Sequence, residues 1–192
     1  MSGADSDFDL LDRWREGDTD AGQALLARHF EALCGFFESK IDRDADDLVQ
    51  RTMLACVRGK DRFRKQSSFR TFLFAVARHE LLHHLRSRHR EGQRFDFATI
   101  SVAEIVTTPG TRLANNAERV RVVEALRQLP VEQQLLIELY YWQELDIQAI
   151  SEILEIDAGN TRVRLFRARK RLRELLELPG VDDDEALLAA GR

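Results

Sequence analysis

Three groups of side chains in this sequence have the types and spacing to do chemistry. The first lies between residues 158 and 173, with arginine at 162, 164, 167, 169, 171 and 173, lysine at 170 and no acid. Wound as a helix at about 100° per residue, this stretch puts Thr161, Leu165, Ala168, Leu172 and Leu175 on one apolar stripe. Arg162, Val163, Phe166, Arg167 and Lys170 then fall on the opposite side, with Arg164, Arg169, Arg171 and Arg173 on the flanks. A solvated helix mixes its signs, so uncompensated positive charge on a packed helix calls for a polyanion. Arginine can bond guanine O6 and N7 with both arms of its fork, and valine or phenylalanine can press a thymine methyl. Asp157 stands where a carboxylate caps the first turn.

The second group is His79-Glu80-Leu81-Leu82-His83, which fits the H-E-x-x-H motif of zinc peptidases, two histidines one helical turn apart with a glutamate as general base. His89 has the spacing of a third ligand. Swinging it back requires a glycine, and Arg86 stands at that position. On an unbroken helix His89 lies about 15 Å along the axis from His79, beyond a metal that sits about 2 Å from each nitrogen. Arg78, Arg86, Arg88 and Arg90 crowd the motif with positive charge. A zinc peptidase is therefore a remote alternative, and the expectation is no catalytic residue, metal or cofactor. The third group is the basic loop of Arg62, Phe63, Arg64 and Lys65, where an aromatic among cations suits a single strand whose bases stack. Cys34 and Cys56 are too few and too far apart for a metal or redox motif, and read as core residues of a reducing compartment.

These residues need helices to place them. The 192 residues carry 44% hydrophobic and 32% charged side chains, a globular composition with a formal net charge of −4. That average hides segregation: the beginning and end are acidic, while residues 58–94 and 158–173 are basic islands. Apolar periodicity predicts helices over 20–39, 44–58, 69–90, 118–129, 131–143, 146–154 and 158–178, with a short one possible over 8–14. Leu25, Leu26, His29, Phe30, Leu33, Phe36 and Phe37 share one side of the first long helix; Leu48, Val49, Met53, Leu54 and Val57 build the next. Residues 91–117, with Pro109-Gly110, lack helical periodicity and read as a linker. The expected fold is all-α: two small helical domains on a flexible linker, the C-terminal one a helix-turn-helix formed by 146–154 and 158–178. The expected limits are 1–92 and 117–178, with a linker over 93–116 and an acidic tail over 179–192. No apolar run reaches the roughly 20 residues of a membrane span, and the acidic beginning is unlike a signal peptide, so the expected location is cytoplasmic.

The two halves together resemble the sigma-70 family of bacterial RNA polymerase sigma factors, in the extracytoplasmic-function group that keeps the second and fourth conserved domains. The second half carries Leu129-Pro130, Gln133, Leu136, Tyr140, Ile150 and Leu154, then Gly159 and the run from Arg164 to Leu172. The first half carries Asp46-Asp47-Leu48-Val49-Gln50 and the run from Ser68 to Arg78. The resemblance implies promoter recognition, with partners in core RNA polymerase (the β′ clamp helices and the β flap), promoter DNA and, as often in this group, an anti-sigma factor. Asn160, Arg162, Val163, Arg164, Phe166, Arg167, Lys170 and Arg171 would meet the −35 duplex. Arg62, Phe63, Lys65, Arg78, His79, His83, Arg86 and Arg90 would meet the melted −10 strand. Asp46, Asp47, Leu48 and Gln50 would meet the polymerase clamp. Phe69, Phe72 and Phe74 are expected in the core. The chain departs from the family where Glu155 replaces the usual turn glycine, and where His79 and His83 stand for Asn and Asp, which bears on the −10 preference. The alternative is a stand-alone helix-turn-helix regulator, in which the signatures at 46–50 and 68–78 have no role.

Overall fold

The computed structural model describes residues 5–41, 43–88, 96–106 and 117–177, the side chains of 117–119 excepted. These residues form α1 (Asp7–Arg15), α2 (Thr19–Glu38), α3 (Ala45–Gly59), α4 (Phe69–Arg88), α5 (Val102–Ile105), α6 (Ala117–Arg127), α7 (Val131–Tyr141), α8 (Ile147–Leu154) and α9 (Ala158–Leu176). The all-α expectation holds. Capping chemistry starts several of these helices where the sequence placed them. Asp18, Asp146 and Asp157 each accept a backbone N–H of the first turn, from Ala21, Ala149 and Asn160. Ser6 and Asp9 close a capping box on α1.

Helices α1 to α4 form the first half and α6 to α9 the second. The two halves share one continuous buried core, in which Phe36, Phe74 and Leu81 join Leu135, Leu139 and Leu165. α8 packs along α4. At the centre of the join the Lys40 ammonium meets the Glu138 carboxylate, both fully buried. Ser39 Oγ donates to the same carboxylate at 3.0 Å, and Gln134 Nε2 donates to its other oxygen at 2.7 Å. Burial pulls the Lys40 ammonium below its ordinary range, against the opposing pull of Glu138. Arg127 Nη1 donates to the carbonyl of Lys40 at 2.9 Å, and Arg70 Nη2 to Gln143 Oε1 at 2.9 Å. The Cys56 thiol is pushed up to about 12 by burial, as suits an inert core cysteine.

Part of the segment expected as linker has structure. α5 docks through Val102 and Val106, Ser101 pairs with Pro130, and Arg127 Nη2 donates to the Val106 carbonyl at 2.7 Å. A four-residue helix has too few apolar positions to show a period, so only its tertiary anchors reveal it. Four apolar residues assigned to core stripes are exposed instead: Phe30, Leu54, Val57 and Leu175. On α3 the buried face is formed by Ala45, Leu48, Val49, Thr52 and Cys56, which turns Leu54 and Val57 outward. On α9, Leu176 takes the buried place expected of Leu175, because burial continues the i+4 step from Leu172.

His29 gives the first half a pH dependence. Its Nε2 lies 2.7 Å from Asp7 Oδ2, yet burial outweighs that partner and lowers its pKa from 6.5. The unfolded chain therefore binds the proton more readily, so stability is full above pH 6.5 and declines as pH falls below it. Urea midpoints should drop between pH 7.5 and 5.5, and His29→Gln should shrink that drop.

Candidate nucleic-acid interface

Helix α9 is positioned by what lies beneath it. Thr161, Leu165, Ala168, Leu172 and Leu176 are buried against α6, α7 and α8, which fixes the rotation of α9 about its axis. Val163 and Phe166 are then held 47% and 63% exposed, an apolar pair facing outward between Arg162 and Arg167. Lys170 and Arg171 are exposed as well, and Asn160 is half-buried at the start of the helix. Arg164 turns back instead. Its Nη1 donates to Glu132 Oε2 at 2.8 Å and its Nε to Asn160 Oδ1 at 3.1 Å. Arg169 lies over the rings of Tyr140 and Tyr141, at 5.7 and 6.0 Å. The turn before α9 depends on Glu155 at φ +58°, a left-handed conformation that glycine adopts without strain. Glu155 carries a side chain there that reaches within 4.0 Å of Arg78 on α4.

In the first half, the loop between α3 and α4 borders an open cavity of about 590 Å³. Arg62, Phe63, Arg64, Gln66 and Ser67 line it from the loop, and Thr71, Phe72, Ala75 and Val76 from α4. Phe63 stacks on Phe72, centroids 4.7 Å apart and planes at 22°. Phe69 and Phe74 are fully buried as expected, whereas Phe72 is only half-buried and belongs to the cavity wall. Its exposure could not be read from helical spacing, because the loop covering it contributes a single aromatic. Lys65 is half-buried beside the cavity, held by Asp12 at 2.5 Å. His79, His83 and Arg86 are exposed on α4, and Arg78 is half-buried near Glu155. Arg90 lies outside the described residues. α4 runs unbroken through Arg86, so the H-E-x-x-H motif has no bend after it to return a third ligand.

On α3, Asp46, Asp47 and Gln50 are exposed. Leu48 is 0% exposed, so the expectation that it meets a partner is corrected: it faces the core. The exposed apolar residues of that helix are Leu54 and Val57. Among the described residues no helix is long and apolar enough to cross a membrane.

Comparison with known proteins agrees with this arrangement. Residues 27–91 match the family model for sigma-70 region 2, and residues 119–172 match the model for sigma-70, region 4. The chain is 25% identical over 183 residues to the ECF RNA polymerase sigma-E factor of Haemophilus influenzae, covering 90% of this chain and 96% of that protein. It is 26% identical over 181 residues to the sigma-E factor of Escherichia coli, covering 90% and 95%. Two solved structures are similar at 25% identity. CnrH in complex with the cytosolic domain of CnrY has a TM-score of 0.69, covering 92% of this chain and 100% of that one. The sigma factor RpoE in complex with the anti-sigma factor NepR from Bartonella quintana has a TM-score of 0.65, covering 82% and 98%. Both family regions, matched in order along the chain, show that it belongs to the sigma-70 family of RNA polymerase sigma factors, in its extracytoplasmic-function group.

Proposed function

We propose that this sigma factor reads the −35 duplex through Arg162, Val163, Phe166 and Arg167, and takes a base of the melted −10 strand into the cavity lined by Phe63 and Phe72. As a member of its family the chain directs promoter-specific initiation by RNA polymerase and is not itself an enzyme. The observation that carries the −35 assignment is the outward Val163–Phe166 pair flanked by exposed arginines on a helix whose rotation is fixed by its core. Lys170 and Arg171 hold phosphates, which orients the helix without reading sequence. Arg164, engaged with Glu132, positions the helix from behind. For −10, Arg62, Lys65, Arg78, His79, His83, Arg86 and Arg90 supply cations and donors along the strand path, while the aromatic wall supplies stacking. Asp46, Asp47 and Gln50 meet the clamp of the polymerase, with Leu54 and Val57 as the apolar part of the same face. The protein acts in the cytoplasm, and an anti-sigma factor is a fitting regulator, because RpoE of Bartonella quintana was solved with one.

The compact arrangement is the form away from promoter DNA. Elements named −10 and −35 lie some 25 base pairs apart, about 85 Å at 3.4 Å per step. Here Arg78 of one reading surface is 4.0 Å from Glu155 in the turn of the other. Glu152 of α8 also lines the cavity that the melted base would enter. The halves must therefore separate to read both elements.

Transcription and binding from a promoter library with purified core polymerase test the −35 assignment. Arg167→Ala should cost about 1–3 kcal/mol at one base position and flatten the preference there. Lys170→Ala should weaken all sequences alike and reduce the salt slope by about one. Equal weakening of every promoter by Arg167→Ala would remove that residue from base reading.

A further inference from the structure

α1 precedes the residues matched by the region 2 model, yet it is bonded directly to the loop that borders the aromatic cavity. Arg15, near its end, donates from Nε to the Lys60 carbonyl at 3.0 Å and from Nη2 to the same carbonyl at 2.5 Å. Nη2 also donates to the carbonyl of Phe63. A planar fork that spans two carbonyls three residues apart fixes their separation, and therefore the path of the loop between them. Phe63 is the residue whose ring forms the cavity wall, so its backbone is held from behind while its ring faces Phe72.

Two further contacts act on the same loop. Asp12, one turn before Arg15, holds Lys65 at 2.5 Å, and Lys65 has the left-handed φ of +55° that costs an ordinary residue strain. Lys60 lies over the ring of Trp14 at 5.7 Å. Trp14 in turn sits so close to α2 that a Cβ on Gly22 would fall 2.4 Å from its Nε1, so a glycine there is what lets α1 approach. α1 thus reaches the loop through guanidinium, carboxylate and indole, while its own Leu10 and Leu11 are anchored in a separate small core with Leu25 and Phe69.

We propose that Arg15 is a positioning residue for −10 recognition: it presets the loop so that Phe63 stands ready as a stacking surface before the strand arrives. Presetting lowers the ordering cost that a free loop would otherwise incur on binding. The inference rests on the reading of this cavity as the −10 base site, and the test separates the two. Holoenzyme assembled from the full chain and core polymerase selects a single-stranded deoxyoligonucleotide from a randomised pool, and a fluorescent copy of it is the probe. Arg15→Gln should weaken probe binding roughly tenfold and reduce the preference for the selected base, and Arg15→Lys should recover part of both, since an ammonium can serve one carbonyl. The melting temperature and the affinity for a −35 duplex should stay at wild-type values. If Phe63→Ala loses the probe while Arg15→Gln binds it with unchanged affinity and preference, the positioning role is wrong and the cavity reading stands. If Arg15→Gln lowers melting temperature and duplex affinity along with probe binding, Arg15 is only structural and the proposal is overturned. If Phe63→Ala and Phe72→Ala both keep the probe and its preference, the cavity reading falls and takes the proposal with it.

Discussion

Replacing Lys40 by methionine should open the molecule. The substitution leaves the fully buried Glu138 with hydrogen bonds from Ser39 and Gln134 but no counter-charge. Stranding one member of a buried pair costs about 3–5 kcal/mol. In an ordinary core that cost appears as global destabilisation. Here the pair joins two halves, so parting them lets Glu138 reach water while each half keeps most of its own helices. The expected result is a larger radius of gyration in solution scattering, and tighter binding to core polymerase, because the closed form no longer competes. Lys40→Met combined with Glu138→Leu should close the molecule again, since a buried pair and an apolar pair of similar volume are often equivalent in stability. An unchanged radius in Lys40→Met would show that the pair does not hold the halves together.

Leu165→Ala should have an effect of similar size on stability. Leu165 lies on the buried face of α9 and belongs to the core that both halves share. Truncating a buried leucine costs about 2–5 kcal/mol, which lowers the melting midpoint of a chain this long by roughly 4–20 °C. Because the core is continuous, the loss should move a single transition measured by calorimetry. In the Lys40→Met background the same change should split the transition, with the region 4 half melting first. A split in the wild-type background would mean that the halves fold independently despite their contact.

The features legible in the sequence were those written by local rules. Helical periodicity located the long helices, Asp157 announced the start of α9, and the outward face of α9 followed from its inward stripe. That is why Arg162, Val163, Phe166 and Arg167 could be named from the sequence and are found exposed. Leu48, by contrast, shared a motif with the exposed Asp46, Asp47 and Gln50 but turns inward, as periodicity alone would have it.

Other features depend on partners far along the chain. Lys40 and Glu138 are 98 residues apart, and a lone lysine or glutamate ordinarily belongs to the solvated face of a helix. Only the apposition of the halves makes each the other's counter-charge. Arg15 bonds to backbone carbonyls, which every residue possesses and no sequence pattern marks. Phe72 became a wall of the cavity because Phe63 stacks on it, and Arg164, on the flank of α9, turned back because Glu132 was in reach. The sequence by itself determined the helices, the helix-turn-helix and the charge that suits DNA, because periodicity and capping act within a few residues. Tertiary structure decided which charges face each other, which surface of α4 is covered by α8, and how the loop between α3 and α4 is held, because those depend on distances that the chain closes only on folding.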